Sequence, residues 1–361
     1  MKFKLNKSDH LSFFGLLNKF EKTKINVKEN SLSGNDSLIF YSFNNKFNVF
    51  VNTIFCQSNW KIMDTEEEFC FALDSYTFYN AFNNFPADEV QFVYNPEDNS
   101  LIFGNKKTRV ALKTTPCSTP EEMKFKDLKN LNTDKFLEAI RYTSFSCSNE
   151  ADEYPYNSIN VSFGNIVNAQ SSDKHRISLF GDVDFDNSYV ISKSSADIST
   201  LFINTLGNVQ YSINSNKLNL LWGDIYLIVS LGSKADTGVF KTLKNFKTAK
   251  ELDQTMINKS ELAQSVKFIS GITNSIKTEF VFDGDKLTLS SQNNEKGAVV
   301  DTLNLKKPVK LTTVSYLSSH LLKILDILPE KDLTITLLDF NNFVLMSLTS
   351  GEFTHILFPM E

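Results

Sequence analysis

The chain has 361 residues, too many for one ordinary core and enough for two or three domains. Hydrophobic residues at 41% and charged residues at 22% place it among folded soluble proteins, and no apolar run reaches the roughly 18 residues that read as a membrane span. The net charge of −5 excludes a uniformly basic nucleic-acid binder but not an acidic body with one basic concave face, because local potential governs phosphate contact.

The first third opens with a short strand and then Ser8-Asp9, which precede Leu11, Phe14, Leu17 and Phe20 at helical spacing. A second helix is expected over 75–85, followed by a hairpin that pairs 91–94 with 101–103 across Asn95-Pro96-Glu97-Asp98-Asn99. A polar segment, 117–126, then marks a joint. The pattern restarts at Thr133-Asp134 before Phe136, Leu137 and Ile140, with a strand over 158–163, a helix over 195–206, and a hairpin of 209–213 with 218–221. A second polar segment, 244–253, precedes a third start at Lys259-Ser260, with Leu262, Val266 and Ile269 on one face. Strands over 279–282 and 287–290 flank a turn at Asp283-Gly284-Asp285-Lys286. A helix over 315–328 carries the stripe Leu317, Leu321, Leu325 and Leu328, and the last hairpin pairs 333–338 with 344–348.

The three helix starts lie about 125 residues apart. The expected fold is α+β, a threefold repeat with two helices per unit on one side of antiparallel sheet, with domains 1–126, 127–250 and 251–361. Three such units could close into a ring, because closure removes exposed sheet edges, or could form a linear array.

Motifs for catalysis are missing. There is no phosphate loop and no Gly-x-Ser-x-Gly, and His10, His175, His320 and His355 have no metal-ligand spacing. The acidic run 64–68 could hold a cation, but such a charge run more often reads as a solvated loop. No catalytic residue, cofactor or metal is expected, although scattered carboxylates could still assemble an enzyme's site in three dimensions. The opening Met1-Lys2-Phe3-Lys4-Leu5 is too polar for a secretory leader. Cys56, Cys70, Cys117 and Cys147 lack the short spacings of a zinc site or a disulfide framework, so a cytoplasmic location is expected and no membrane partner.

Three stretches resemble the bacterial sliding clamps, the beta subunits of DNA polymerase III. They are Ser172-Asp173-Lys174-His175-Arg176-Ile177, the ending Ile356-Leu357-Phe358-Pro359-Met360-Glu361, and 258–295 with Leu287-Thr288-Leu289-Ser290-Ser291-Gln292-Asn293. Val314-Ser315-Tyr316-Leu317 and the segment 108–116 fit the same order. The resemblance implies a non-catalytic homodimer, six units in a head-to-tail ring around double-stranded DNA, held topologically and without sequence preference. Its implied partners are a DNA polymerase, a clamp loader and other proteins carrying short linear motifs. Lys19, Lys22, Lys24, Arg141, Lys193, Lys267 and Lys323 are the cations expected to face DNA, each equally readable as part of a solvated helix face. The family's hydrophobic peptide cleft maps onto Ser172, Lys174, His175, Arg176, Ile177, Val344, Ile356, Phe358, Pro359 and Met360. In that cleft His175 is structural, and a methionine lip suits several partners. The ring joint maps onto Val110 and Ile272.

The sequence departs from the family's pattern at four places. Lys174 stands where glycine is usual, Phe358 replaces a methionine, Thr237-Gly238-Val239-Phe240 lacks a proline, and Gly271 stands where an apolar side chain is common. Alternative readings are a specialised phage- or plasmid-type clamp with altered partners, or an interaction protein on the clamp fold that no longer encircles DNA.

Overall fold

A computed structural model describes residues 2–8, 10, 15, 37–52, 56–150, 153–163, 167–173, 175–183, 187–232, 240, 246, 249–274, 276–293, 295–329, 331–341 and 343–360. The expected first helix after Ser8-Asp9, with Lys19, Lys22 and Lys24, lies almost wholly outside the described residues, as does Lys174. Packing divides the chain into two compact units, Met1–Leu137 with Ser194–Gly232, and Glu138–Lys193 with Ser233–Glu361.

The first unit holds two antiparallel sheets. One runs Lys2–Asn6, Glu89–Asn95, Ser100–Gly104, Arg109–Lys113. The other has nine strands, in which Ile225–Ser230 pairs directly with Cys56–Asp64, joining the second repeat's hairpin sheet to the first repeat's strands. Helix α1 (Ser75–Asn83) is capped by Asp74, whose carboxylate accepts from the Thr77 amide at 2.7 Å, and it buries Phe78 and Phe82. These rings join a phenylalanine core: Phe3 stacks on Phe92 at 4.7 Å, Phe40 on Phe71 at 5.3 Å and Phe92 on Phe103 at 5.2 Å. Aromatic pairs of this kind add about 0.5–1.5 kcal/mol each beyond the area they bury.

Helix α2 (Thr133–Thr143) begins one residue after Asn132, whose side chain accepts from the Lys135 amide at 3.2 Å. Helix α3 (Lys193–Leu206) buries Ala196, Ile198, Phe202 and Ile203.

The second unit holds an eight-stranded sheet in the order Ser188–Ser192, Ser158–Ser162, Asn168–Ser172, Arg176–Phe180, Phe353–Leu357, Phe343–Ser350, Asp332–Phe340, Lys250–Asn258. A ribbon of two long strands, Lys277–Asn293 and Gly297–Leu317, packs with α4 (Lys259–Thr273) and α5 (Ser318–Ile327). Asn258 caps α4 by accepting from the Glu261 amide at 3.1 Å. In both α2 and α4 the capping side chain is an asparagine just upstream of the expected start, because its oxygen reaches the amide three residues on.

The repeat is visible as strand, helix, hairpin, three times. Cys70–Asp74 leads into α1, Ser188–Ser192 into α3 and Gly297–Leu317 into α5. The hairpins that follow are Glu89–Asn95 with Ser100–Gly104, Gln210–Asn214 with Lys217–Trp222, and Asp332–Phe340 with Phe343–Ser350. Their turns contain Asn99, Ser215, Asn216 and Asn341 at positive φ, a conformation asparagine tolerates.

Two expectations are corrected. The helix over 315–328 starts only at Ser318, because 315–317 are paired in the ribbon with 277–279. The turn at 283–286 is an irregularity inside one strand. Pairing jumps from Gly284↔Val309 to Lys286↔Asn304, and Gly284 takes φ 57°. The skipped stretch contains Pro308, which has no amide to give a ladder. Its neighbours are held elsewhere: the Thr255 hydroxyl donates to the Lys307 carbonyl at 2.7 Å, and the Lys310 amide donates to Asp253 at 2.8 Å.

Candidate peptide-binding cleft

The 172–177 stretch and the 356–360 stretch meet in the second unit. Strand Arg176–Phe180 pairs antiparallel with Phe353–Leu357, which sets Ile177 opposite Ile356. Both are buried, and with Leu179, Val190, Phe240, Leu338 and Leu345 they form one apolar cluster. Phe246, Ala249, Phe340 and Phe358 pack on it, half-covered. Phe246 meets Phe340 at 4.3 Å and Phe358 edge-on at 5.0 Å. The Gln170 amide donates to the Phe240 carbonyl at 2.8 Å and so fixes that segment over the cluster. Residues 237–239, which precede Phe240, lie outside the described residues.

A polar turn built on Asp173 leads into strand Arg176–Phe180. The Asp173 carboxylate accepts from the His175 amide at 3.2 Å, the Arg176 amide at 3.1 Å and the Arg176 Nε at 2.7 Å. These bonds fold the turn before the strand and pull the Arg176 side chain inward. Arg176 is only 6% exposed, and its guanidinium lies over the Phe145 ring at 5.1 Å. Its buried Nη1 has no hydrogen-bond acceptor among the described residues. A buried donor without an acceptor costs free energy, so such a group calls for an explanation.

Two imidazoles sit near this charge. Burial, and then Arg176, pull the His320 ring down to about 4. Burial and Arg176 likewise hold His355 well below its usual range, while His355 Nδ1 lies 2.8 Å from the Ser178 hydroxyl. The chain thus keeps Arg176 as a cation beside neutral histidines.

The last described residues dock rather than fray. The Phe358 amide donates to the His175 carbonyl at 3.1 Å, and the Met360 amide donates to the Ser315 carbonyl at 2.8 Å. Phe358, Pro359 and Met360 remain half-exposed. Val344, also half-exposed, receives the Tyr316 hydroxyl on its carbonyl at 3.3 Å, and burial raises the Tyr316 phenol. Ser172 is buried opposite Ile177. His175 is exposed at the rim.

The sequence reading missed Phe246, Phe340 and His320. Phe246 sits in a run read as a polar joint and Phe340 in a run read as a turn. An aromatic within each polar stretch was the available signal.

Of the cations expected to face DNA, Arg141 (α2), Lys267 (α4) and Lys323 (α5) are exposed. Lys193 is half-buried and donates to the Asn149 side chain at 2.9 Å. Of the joint positions, Val110 is half-exposed on Arg109–Lys113, which among the described residues pairs on one side only, with Ser100–Gly104. Ile272 is 43% exposed on α4, beside Phe268 at 54%. Among the described residues no cluster of His, Cys, Asp and Glu could hold a metal, and no helix is long and apolar enough to cross a membrane.

The α+β repeat, with its shared sheets, is the DNA sliding-clamp fold. No protein-family model and no curated protein matches the chain. Among solved structures it is similar to a DNA polymerase sliding clamp from Caulobacter crescentus (TM-score 0.82, 13% identity, all of both chains). It is also similar to the DNA polymerase III beta chain of Streptococcus pneumoniae TIGR4 (TM-score 0.82, 15% identity, all of this chain and 99% of that one). A third is a sliding clamp from Bartonella birtlesii bound to griselimycin (TM-score 0.80, 14% identity, all of this chain and 99% of that one).

Proposed function

We propose that this chain is a DNA sliding clamp, a non-catalytic processivity factor of the cytoplasm. Two copies join head to tail, and six repeats (1–126, 127–250 and 251–361 from each) encircle duplex DNA and tether a replicative polymerase. The observation that carries the reading is the half-covered apolar cluster where the 172–177 and 356–360 stretches meet. A half-covered apolar floor of Phe246, Phe340 and Phe358 lies over Ile177 and Ile356, and a buried, unpaired Arg176 Nη1 belongs to the polar turn built on Asp173. That combination suits a short extended peptide whose apolar side chains enter the floor. Polymerase, clamp loader and other motif-bearing proteins would compete for it.

A ring retains DNA topologically, so its phosphate contacts can be few and salt-sensitive. Exposed Arg141, Lys267 and Lys323 meet that modest need despite a net charge of −5. The joint would set the one-sided strand Arg109–Lys113, with Val110, against the α4 face of Phe268 and Ile272 in the second copy. Gly271 leaves open space on that face, which makes a smaller joint and a more readily opened ring.

The test is retention on DNA. Protein incubated with a nicked circular plasmid and passed through a sizing column in high salt should co-elute with the circle. It should be released when the circle is cut once by a restriction enzyme. Equal retention before and after cutting would mean ordinary surface binding and would sink the ring.

A further inference from the structure

In the first unit, Cys70 and Cys117 are far apart in sequence, yet their sulfurs lie 3.0 Å apart. The register explains why. Strand Cys70–Asp74 pairs antiparallel with the two-residue edge strand Thr115–Pro116, with Phe71 opposite Pro116 and Ala72 opposite Thr115. The next pair in that register is Cys70 with Cys117. Directly opposed residues of an antiparallel pair have Cα atoms about 4.5–5.5 Å apart, within the span a disulfide bridges. Both residues are half-exposed, so a small oxidant has access, and both are free thiols. Cys147, by contrast, is buried with its thiol on the Ser158 carbonyl at 3.5 Å.

We propose that Cys70 and Cys117 form a reversible redox modification site, a dithiol that peroxide converts to a cross-strand disulfide. The Cys117 sulfur, as thiolate, attacks a peroxide oxygen and becomes a sulfenic acid, and the departing hydroxide takes the proton that this sulfur gave up to leave as water, while Cys70, held protonated, serves as the second sulfur. The second sulfur then attacks the sulfenic sulfur. The S–S bond forms, the S–O bond breaks, and the released hydroxide takes the remaining thiol proton as a second water. Two thiols and one peroxide therefore give one disulfide and two waters.

The surroundings fit a pair that rests reduced. Burial, and then the hydrogen bond with Cys117, push the Cys70 thiol up to about 12, which keeps it protonated at neutral pH. The disulfide would staple an edge strand that has only two paired residues, at the point where the chain leaves the sheet for the irregular 117–126 segment. Disulfides of this exposed cross-strand kind are the regulatory rather than the structural ones.

The test treats the full-length reduced protein with hydrogen peroxide, blocks remaining thiols with N-ethylmaleimide and maps the peptides. The expected product is a single covalent chain that, before alkylation, is lighter than the reduced chain by two hydrogens. It contains one cross-linked peptide pair holding Cys70 and Cys117, and dithiothreitol reverses the change. Cys147→Ser should retain the cross-link and Cys117→Ser should lose it. The oxidised wild type should melt at a higher temperature than the reduced form, and Cys117→Ser should show no such rise. If Cys117→Ser does not fold, the wild-type peptide map decides alone. Alkylated Cys70 and Cys117 after peroxide, or a sulfinic acid on either with no cross-link, would overturn the proposal.

Discussion

Among the described residues of the second unit, the apolar cluster around Ile177 and Ile356 and the outer face of α4 differ in how they expose apolar side chains. Around Ile177 and Ile356 the apolar residues come from distant parts of the chain and are nearly covered, leaving half-exposed rings beside a buried arginine. On α4, Phe268 and Ile272 are 54% and 43% exposed, one turn apart, with Ile276 just beyond at 68%. In the proposed function the first surface would serve as a floor for a few side chains. The second is an open face that only a large partner can cover. Small linear motifs need the former and a subunit joint needs the latter.

Breaking the polar turn should have the largest effect. Asp173→Ala removes the ion-pair partner of a buried Arg176 and two backbone-amide hydrogen bonds of the turn. The expected cost is about 3–5 kcal/mol, read as a fall in the urea midpoint. A change below about 1 kcal/mol would mean that the arginine is solvated. Thinning the floor is milder. Ile356→Val should cost about 0.5–1.5 kcal/mol and lower the affinity for a motif peptide, both seen in one titration series.

The α4 face should respond in the opposite way. Ile272→Asp should alter the chain's own stability by only about 0.5 kcal/mol, as surface changes do, while shifting the mass in light scattering towards the single chain. A dimer that persists unchanged would place the joint elsewhere.

A separate expected effect is on pH dependence. Burial and Arg176 hold His320 at about 4 in the folded chain, below its ordinary value of 6.5. The unfolded chain therefore takes up a proton that the folded one refuses. Stability from this group is complete above 6.5 and is lost as pH falls from there towards about 4. His320→Gln should flatten the urea midpoint over that window relative to wild type. An identical slope would show the ring to be freely solvated.

Periodicity made the repeat legible. The second helices and all three hairpins come from apolar spacing and from Asn-rich turns, and both survive in the structure. What failed was local competition. Asp283-Gly284-Asp285-Lys286 has a turn's composition, but Thr255 and Asp253 engage the neighbourhood of Pro308 opposite it, and the strand runs on. The meeting of the two stretches was half legible. The 172–177 and 356–360 stretches carry a recognisable order, whereas Phe246 and Phe340 are hidden in polar company. The Cys70–Cys117 opposition is a matter of strand register, which spacing along the chain does not encode.

The ring is the claim on which tethering, weak DNA contact and the open α4 face all depend. Its most direct measurement is the solution mass of the purified chain by light scattering across a range of concentrations. A mass near twice 41.0 kDa, falling to the single chain on dilution, is the predicted result. A mass of 41.0 kDa at every concentration would contradict closure by dimerisation and leave a clamp fold that does not ring DNA by itself.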